Sequence, residues 1–428
     1  MAMEAKDNDI ESLLHVNAMT YVRPAQASLV SQRTTKIGTG SQSVSVPGDT
    51  VTFISSTGSD MIYGPTSALR LELTVANGGN ALFGENGSVL QLIKSIRITH
   101  RSGEDCSFID NAGVLADIRR HYTTTDNQKA VLDLCLNTSV TSAAVVTGDV
   151  IICMIPLSIL DPFFNSHMLI PAQVMAGLKI DIQFNNSAGA VTGNTTVLGS
   201  IKATLRWDSF HVFDAASREL LMQASDQASS GIQYVYESAF NTGSEYGAGV
   251  TDISFDVQQA SSIVSKVIAV FRPAAGLIVG TGQKSRYLNC VVRQQVRIGS
   301  LYLPNQVINV TPVSGNKFAE NSAELFWTTA VAQAALPNVL SVLTGDQAVT
   351  IPAALWTGGL KTAYIQALDR NPGNLDYSGQ PSNNSRLINV AFSLTVAEDP
   401  NDTAKRMDIF TLSTRVLNVF GDSAVVDR

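Results

Sequence analysis

"IPLSILDPFFNSHMLIPAQVMAGLKIDIQF", residues 155–184, decides how the chain is read. The apolar run "GDVIICMIPL" leads into it and has to end near Pro156, because proline offers no N–H to a strand ladder. The chain then passes Asp161-Pro162-Phe163-Phe164, makes a turn of helix in "IPAQVMAGL", and leaves on "LKIDIQF". There Leu178, Ile180, Ile182 and Phe184 alternate with other residues, and alternation with period two puts every second side chain on one face of a sheet. The segment therefore reads as a long crossover between two strands of a β-sandwich, with Phe163 and Phe164 capping the open end with a large apolar area.

The same alternation extends outward. In "LRLELTV" Leu69, Leu71, Leu73 and Val75 form a dry face against Arg70, Glu72 and Thr74, and "SIRIT" (95–99) and "IKATLRW" (201–207) repeat it. Half-buried antiparallel strands have this pattern. It stops after Trp207, where "FDAASRELLMQASDQASSG" reads as a helix and linker, with Asp214 as N-cap and Gly231 beyond the end. Strands resume at "IQYVYESAF" (232–240), "DISFDVQ" (252–258) and "SKVIAVF" (265–271), and again at "RLINVAFSLTV" (386–396) and "RMDIFTLSTRVLNVF" (406–420). Helical spacing appears in "GVLADIRRHY", at Val114, Leu115, Ile118 and Tyr122. No repeat of 20 to 50 residues is present, which argues against a propeller or solenoid. The expected fold is all-β: an N-terminal arm (1–24), a first sandwich (25–213), a connecting helix and linker (214–230) and a second sandwich (231–428), with short helical insertions.

Composition narrows the function. Of 428 residues 45% are hydrophobic and only 15% charged, below the roughly 25% usual for globular chains. A surface this poor in charge favours contact with neighbours. The net charge is −7, and Lys6 and Arg23 are outnumbered in the first thirty residues by Glu4, Asp7, Asp9 and Glu11. Binding to phosphate backbones needs clustered cations, so no direct tight nucleic-acid binding is expected. Cys106, Cys135, Cys153 and Cys290 are far apart, without the spacing of a zinc site, and read as buried free thiols. The longest apolar run, "VIICMIPLSIL", is short of the ~20 residues that span a bilayer, and the start of the sequence lacks the apolar core of a signal peptide.

Motifs for chemistry fail in detail. "GLIVGTGQKS" (276–285) puts Gln283 where a phosphate loop needs glycine before Lys284, and a strand-like run follows, so it reads as a hairpin loop. His15, His100, His121, His167 and His211 have no ligand spacing, and no serine sits in a nucleophile elbow. Glu104-Asp105 reads as a solvated turn. Asn-x-Ser/Thr at Asn86, Asn137, Asn185, Asn194, Asn309, Asn383 and Asn401 fits chance in a chain rich in these residues. No catalytic, cofactor-binding or metal-binding residue is assigned. In "NDIESLLHVNAM" Ile10, Leu13 and Leu14 share one helical side, which suits either a frayed terminus or docking on a neighbouring subunit.

Three stretches together resemble the double jelly-roll major capsid proteins of the lineage of tailless icosahedral bacteriophages, adenovirus-like viruses, virophages and nucleocytoplasmic large DNA viruses. They are the opening crossover with its "LIP"; "SRELLMQASDQASSGIQYVYESAF" followed by "SSIVSKVIAVFRP"; and the closing "MDIFTLSTRVLNVFGDSAVV". The resemblance implies two tandem jelly rolls and a non-enzymatic virion protein without cofactors. It implies a homotrimer whose six barrels form a pseudo-hexagonal capsomer of an icosahedral shell. Its partners would be itself, neighbouring capsomers and minor or vertex capsid proteins, with an inner membrane compatible. Synthesis is expected as a soluble intracellular protein of the host cell. The alternative is a two-sandwich receptor- or carbohydrate-binding protein of a virion or cell surface.

Overall fold

The computed structural model describes residues 32–44, 49–55, 61–79, 81–83, 88–122, 126–141, 143–165, 169–185, 197–211, 232–257, 261–274, 291–309, 364–367, 380–382, 388–394, 404–420 and 423–427. The N-terminal arm, the connecting helix at 214–230, the 276–285 loop, His15, His167 and Cys290 lie outside them. Residues up to 211 supply β1 (Gln32–Val44), β2 (Thr50–Ile54), β3 (Met61–Ile62), β4 (Ala68–Asn77), β5 (Ile93–Thr99), β6 (Asp105–Asp110), β7 (Val150–Pro156), β8 (Lys179–Phe184) and β9 (Val197–His211). Residues from 232 supply β10 (Ile232–Tyr246), β11 (Asp252–Val257), β12 (Ser261–Pro273), β13 (Val291–Ile298) and β14 (Leu301–Asn309). They are followed by β15 (Tyr364–Ala367), β16 (Gln380–Ser382), β17 (Ile388–Leu394), β18 (Lys405–Phe420) and β19 (Ser423–Asp427).

The first half pairs a sheet of order β1-β9-β4-β7 with one of order β2-β8-β5-β6. The second half repeats the pattern as β10-β18-β12-β15 and β11-β17-β13-β14. Two four-stranded antiparallel sheets in this interleaved order are a jelly roll, and the chain contains it twice. β3, β16 and β19 are additions, pairing with β9, β12 and β18.

In β4 the alternation read from the sequence is realised. Leu69, Leu71 and Leu73 are fully buried, while Arg70, Glu72 and Thr74 are half-buried on the other face. Between β6 and β7 come α1 (Ala112–Tyr122), α2 (Asp126–Cys135) and α3 (Thr138–Thr141); of these only α1 carried a helical pattern. α1 lies tight against the start of β5, since a Cβ at Gly113 would run into the carbonyl oxygens of Leu90 and Ile93.

The crossover follows the expected path. β7 ends at Pro156, α4 (Leu157–Leu160) and a 3-10 turn (Pro162–Asn165) carry the aromatic pair, and α5 (Ala172–Met175) leads to β8. Both Phe163 and Phe164 are fully buried. Their surroundings differ from the expected cap. Phe164 tilts against Trp207 of the first barrel, but Phe163 packs edge-on against Tyr234 and Tyr236 of the second half, with ring centroids 5.2 and 4.8 Å away. Phe163 is therefore a joint between halves. A Cβ at Gly64 would collide with the Phe164 carbonyl, so the turn is held on both sides.

One apolar cluster runs through both halves: Ile268 and Val270 of β12 and Phe410 and Leu412 of β18 join the first-half core. Their sequence neighbours Val267, Ala269, Phe271, Met407 and Ile409 face the other way and form a second cluster with β11, β13 and β17. Phe163→Ala should cost about 3–5 kcal/mol of stability in chemical denaturation. Because the ring joins the halves, the loss should appear in one transition covering the whole chain; a variant in which only first-half residues melt early would disprove the joint.

Candidate assembly interface

The junction between the halves is polar where it is not aromatic. Tyr234 donates its hydroxyl to the Phe163 carbonyl at 2.7 Å, and Tyr236 donates to the Cys106 carbonyl at 2.7 Å. Two buried tyrosines thus pair with main-chain acceptors of the crossover and of β6. The 3-10 turn is itself capped by Asp161, whose Oδ1 accepts the Phe163 N–H at 2.9 Å. Asp161 is fully buried, and burial raises its carboxyl to about 6, against the opposing pull of the Phe163 N–H, Ser107, Arg119 and Arg415. Arg119 of α1 donates to the Ser158 carbonyl at 2.6 Å, and burial pushes its guanidinium down while Glu237 and Asp161 oppose that.

A folded-state pKa above the unfolded value means that the contribution of Asp161 is fully present below pH 3.8 and is lost as the pH rises through about 6. Asp161→Asn keeps an acceptor for Phe163. Relative to this variant, wild type should gain stability between pH 7 and pH 4, by about 2–3 kcal/mol for a shift of this size. Paired melting curves across that range test it; a difference that does not change with pH would show that Asp161 does not titrate there.

A second polar group lies further along the same sheet. Asp408 of β18, fully buried, accepts from Arg272 of β12 through Nε at 2.8 Å and through Nη2. Its other oxygen accepts from Arg406 Nε at 3.0 Å and faces the Asn111 amide, which also donates to Asn241 of β10 at 3.1 Å. Asn111 belongs to the first half and sits at positive φ, 53°, in the turn into α1. The cluster thus fixes how β10, β12 and β18 meet the first half. Removing one member of a buried pair strands the other charge, so Asp408→Ala should cost about 3–5 kcal/mol. The double change Arg272→Met with Asp408→Leu should cost much less, and equal losses would show that the pair itself is not what the junction needs.

The residues weighed for chemistry do not converge. His100 is buried, with Nδ1 2.9 Å from Ser102 Oγ. Asp105 opens β6 and holds Arg97 through Nε at 2.9 Å, so it is an ion-paired strand residue instead of a solvated turn. Cys106 and Cys153 are buried free thiols, pushed up to about 12 by burial, but Cys135 is exposed, which corrects the expectation of buried thiols throughout. α2 shows its C-terminal end to solvent, and Cys135 goes with it. Among the described residues no three His, Cys, Asp or Glu side chains gather as a metal site, and no helix is long and apolar enough to cross a membrane. The joining residues had only faint signals. Tyr234 and Tyr236 are a same-face aromatic pair in "IQYVYESAF", and Asp408 is a lone charge inside an apolar run.

The fold is that of viral major capsid proteins with two jelly rolls. PBCV-1 VP54, a crystal structure fitted into a reconstruction of the virophage Sputnik, is similar over 93% of this chain and 96% of its own, with TM-score 0.63 and 12% identity. The Faustovirus major capsid protein is similar over 98% of both chains, with TM-score 0.55 and 8% identity. The mavirus major capsid protein covers 92% and 90%, with TM-score 0.52 and 12% identity. No protein-family model matches the sequence, and no curated protein matches it.

Proposed function

We propose that this chain is a major capsid protein, a non-catalytic shell subunit of a virion. The observation that carries the reading is the double jelly roll itself, aligned nearly end to end with solved capsid chains. In this reading the barrels occupy residues 25–213 and 231–428, with 1–24 as an arm and 214–230 as the connection. Three copies form a pseudo-hexagonal capsomer, and capsomers tile an icosahedral shell together with minor or vertex proteins. The acidic arm and the net charge of −7 argue that genome enclosure does not rest on this chain gripping nucleic acid.

Light scattering on the purified full-length chain tests the reading. A homotrimer is expected, with a six-cornered outline in negative stain. A stable monomer at micromolar concentration under every salt condition, combined with binding to a glycan array, would favour a two-sandwich binding protein instead.

A further inference from the structure

The sheet β11-β17-β13-β14 buries one face in the second apolar cluster and turns the other outward. On the outward face the pairing register sets three rows. Asp252 of β11 lies beside Ser393 of β17, which lies beside Arg293 of β13. Ser254, Ala391 and Gln295 form the middle row, and Asp256, Asn389 and Arg297 the third. These side chains share one face because they alternate with buried neighbours such as Ile253, Val390 and Val296. The face is therefore sorted by sign, with carboxylates along β11, guanidinium groups along β13 and neutral side chains of β17 between them.

The two signs do not meet within the chain. Neighbouring strands lie about 4.8 Å apart, so the two charged columns stand about 10 Å from each other. Asn389 donates to Asp256 at 2.8 Å and to the Ser254 hydroxyl at 3.0 Å, and Ser393 donates to Asp252 at 3.0 Å, so the central strand holds the carboxylates on their own side. Arg293 and Arg297 are exposed and have no ion-pair partner among the described residues. The corresponding sheet of the first half, β2-β8-β5-β6, is arranged otherwise. There Arg97 pairs with Asp105 and Lys179 with Asp181, which also accepts from Thr52, so its charges close on themselves.

The open pattern of the second half is self-complementary. A half-turn about β17 exchanges the β11 and β13 columns and keeps every row in place. We infer that the outward face of the β11-β17-β13-β14 sheet binds the same face of a second copy of this chain across a two-fold axis along β17, through Asp252–Arg293 and Asp256–Arg297 pairs made in both directions. The occupant is a second copy because the face supplies its own charge complement, row by row, and such a contact is isologous. Shape agrees with charge: a twisted sheet is saddle-shaped, and a saddle turned about its central strand nests on itself. Ala391 lies on the axis, where a small side chain lets the two sheets approach. Exposed ion pairs are weak and screened by salt, so the contact is weak between two free chains and strengthens where one assembly presents it many times. It requires neither the trimer nor the shell proposed above.

Cross-linking of the full-length chain tests the axis. With Ala391→Cys in a Cys135→Ser background, the two copies of residue 391 face each other and a short bismaleimide should join them into a dimer on a denaturing gel, measured against Cys135→Ser alone. The yield should fall several-fold in salt of about 1 M, where charges are screened beyond about 3 Å. On the same background D252R/D256R makes the face wholly basic and R293D/R297D makes it wholly acidic, so each alone should lose the dimer. Mixed in equal amounts, with one of them tagged, they should regain it as the mixed pair. All four side chains are exposed, so both variants should melt like wild type; should either fail to fold, D256R and R297D repeat the exchange in one row. No cross-link above the Cys135→Ser background, or one indifferent to charge reversal, would overturn the inference. Light scattering on the same samples reads the trimer separately: a trimer that does not cross-link keeps the capsid reading and loses this face, and a cross-linking chain that never trimerises does the reverse.

Discussion

Everything in this molecule depends on a sheet that is dry on both faces. Along β12 and β18, odd and even side chains alike are buried, one set against the β11-β17-β13 sheet and the other against the first half. A strand with one wet face can form in a single sandwich, but one with two dry faces needs a layer on each side before its burial is favourable. At about 25 cal/mol per Å² of apolar area, removing either layer would expose more surface than a marginally stable chain can tolerate. The same constraint bears on the charges buried in this region. A carboxylate such as Asp408 is tolerated there only because Arg272, Arg406 and Asn111 meet it.

The sequence carried much of this in legible form. Alternation gave β4, β8 and β9, and Pro156 marked the end of β7 where the ladder stops. The double burial also leaves a trace, because "SKVIAVF" and "MDIFTLS" break alternation with adjacent apolar residues, a pattern that marks a strand without naming its second layer. What stayed hidden had physical reasons. β1, "QRTTKIGTGSQSV", has no apolar period, and it forms by pairing with β9 along its length. The helix α2 is exposed over much of its surface, so burial imposes no clear stripe on it. The partner of Phe163 is hidden for a further reason. A buried aromatic announces burial but not its partner, and that partner lies some seventy residues away in Tyr234 and Tyr236.

The fused core has a mechanical meaning. Two barrels joined by a shared apolar layer, two tyrosine hydrogen bonds and the Asn111 amide behave as one block, so relative motion of the barrels would have to break a core. In the tile proposed above, such blocks would transmit load through the subunits and concentrate deformation at the contacts between them. The scarcity of charge acts in the same direction, since apolar and neutral polar contacts are short-ranged and little affected by salt.

The pairing of β10 with β18 constrains the order of folding during synthesis. Ile232 lies opposite Val419, so the β10–β18 ladder over the crossover cannot close until residue 419 has left the ribosome. Until then β10, which carries the tyrosines that meet Phe163, lacks its partner strand β18. Contacts so distant along the chain form slowly, and the uncovered face is adhesive while it waits. A nascent chain of this design therefore presents a half-finished surface while some two hundred residues, from 211 to 419, are added, and the yield of folded protein depends on that interval as well as on the stability of the finished fold.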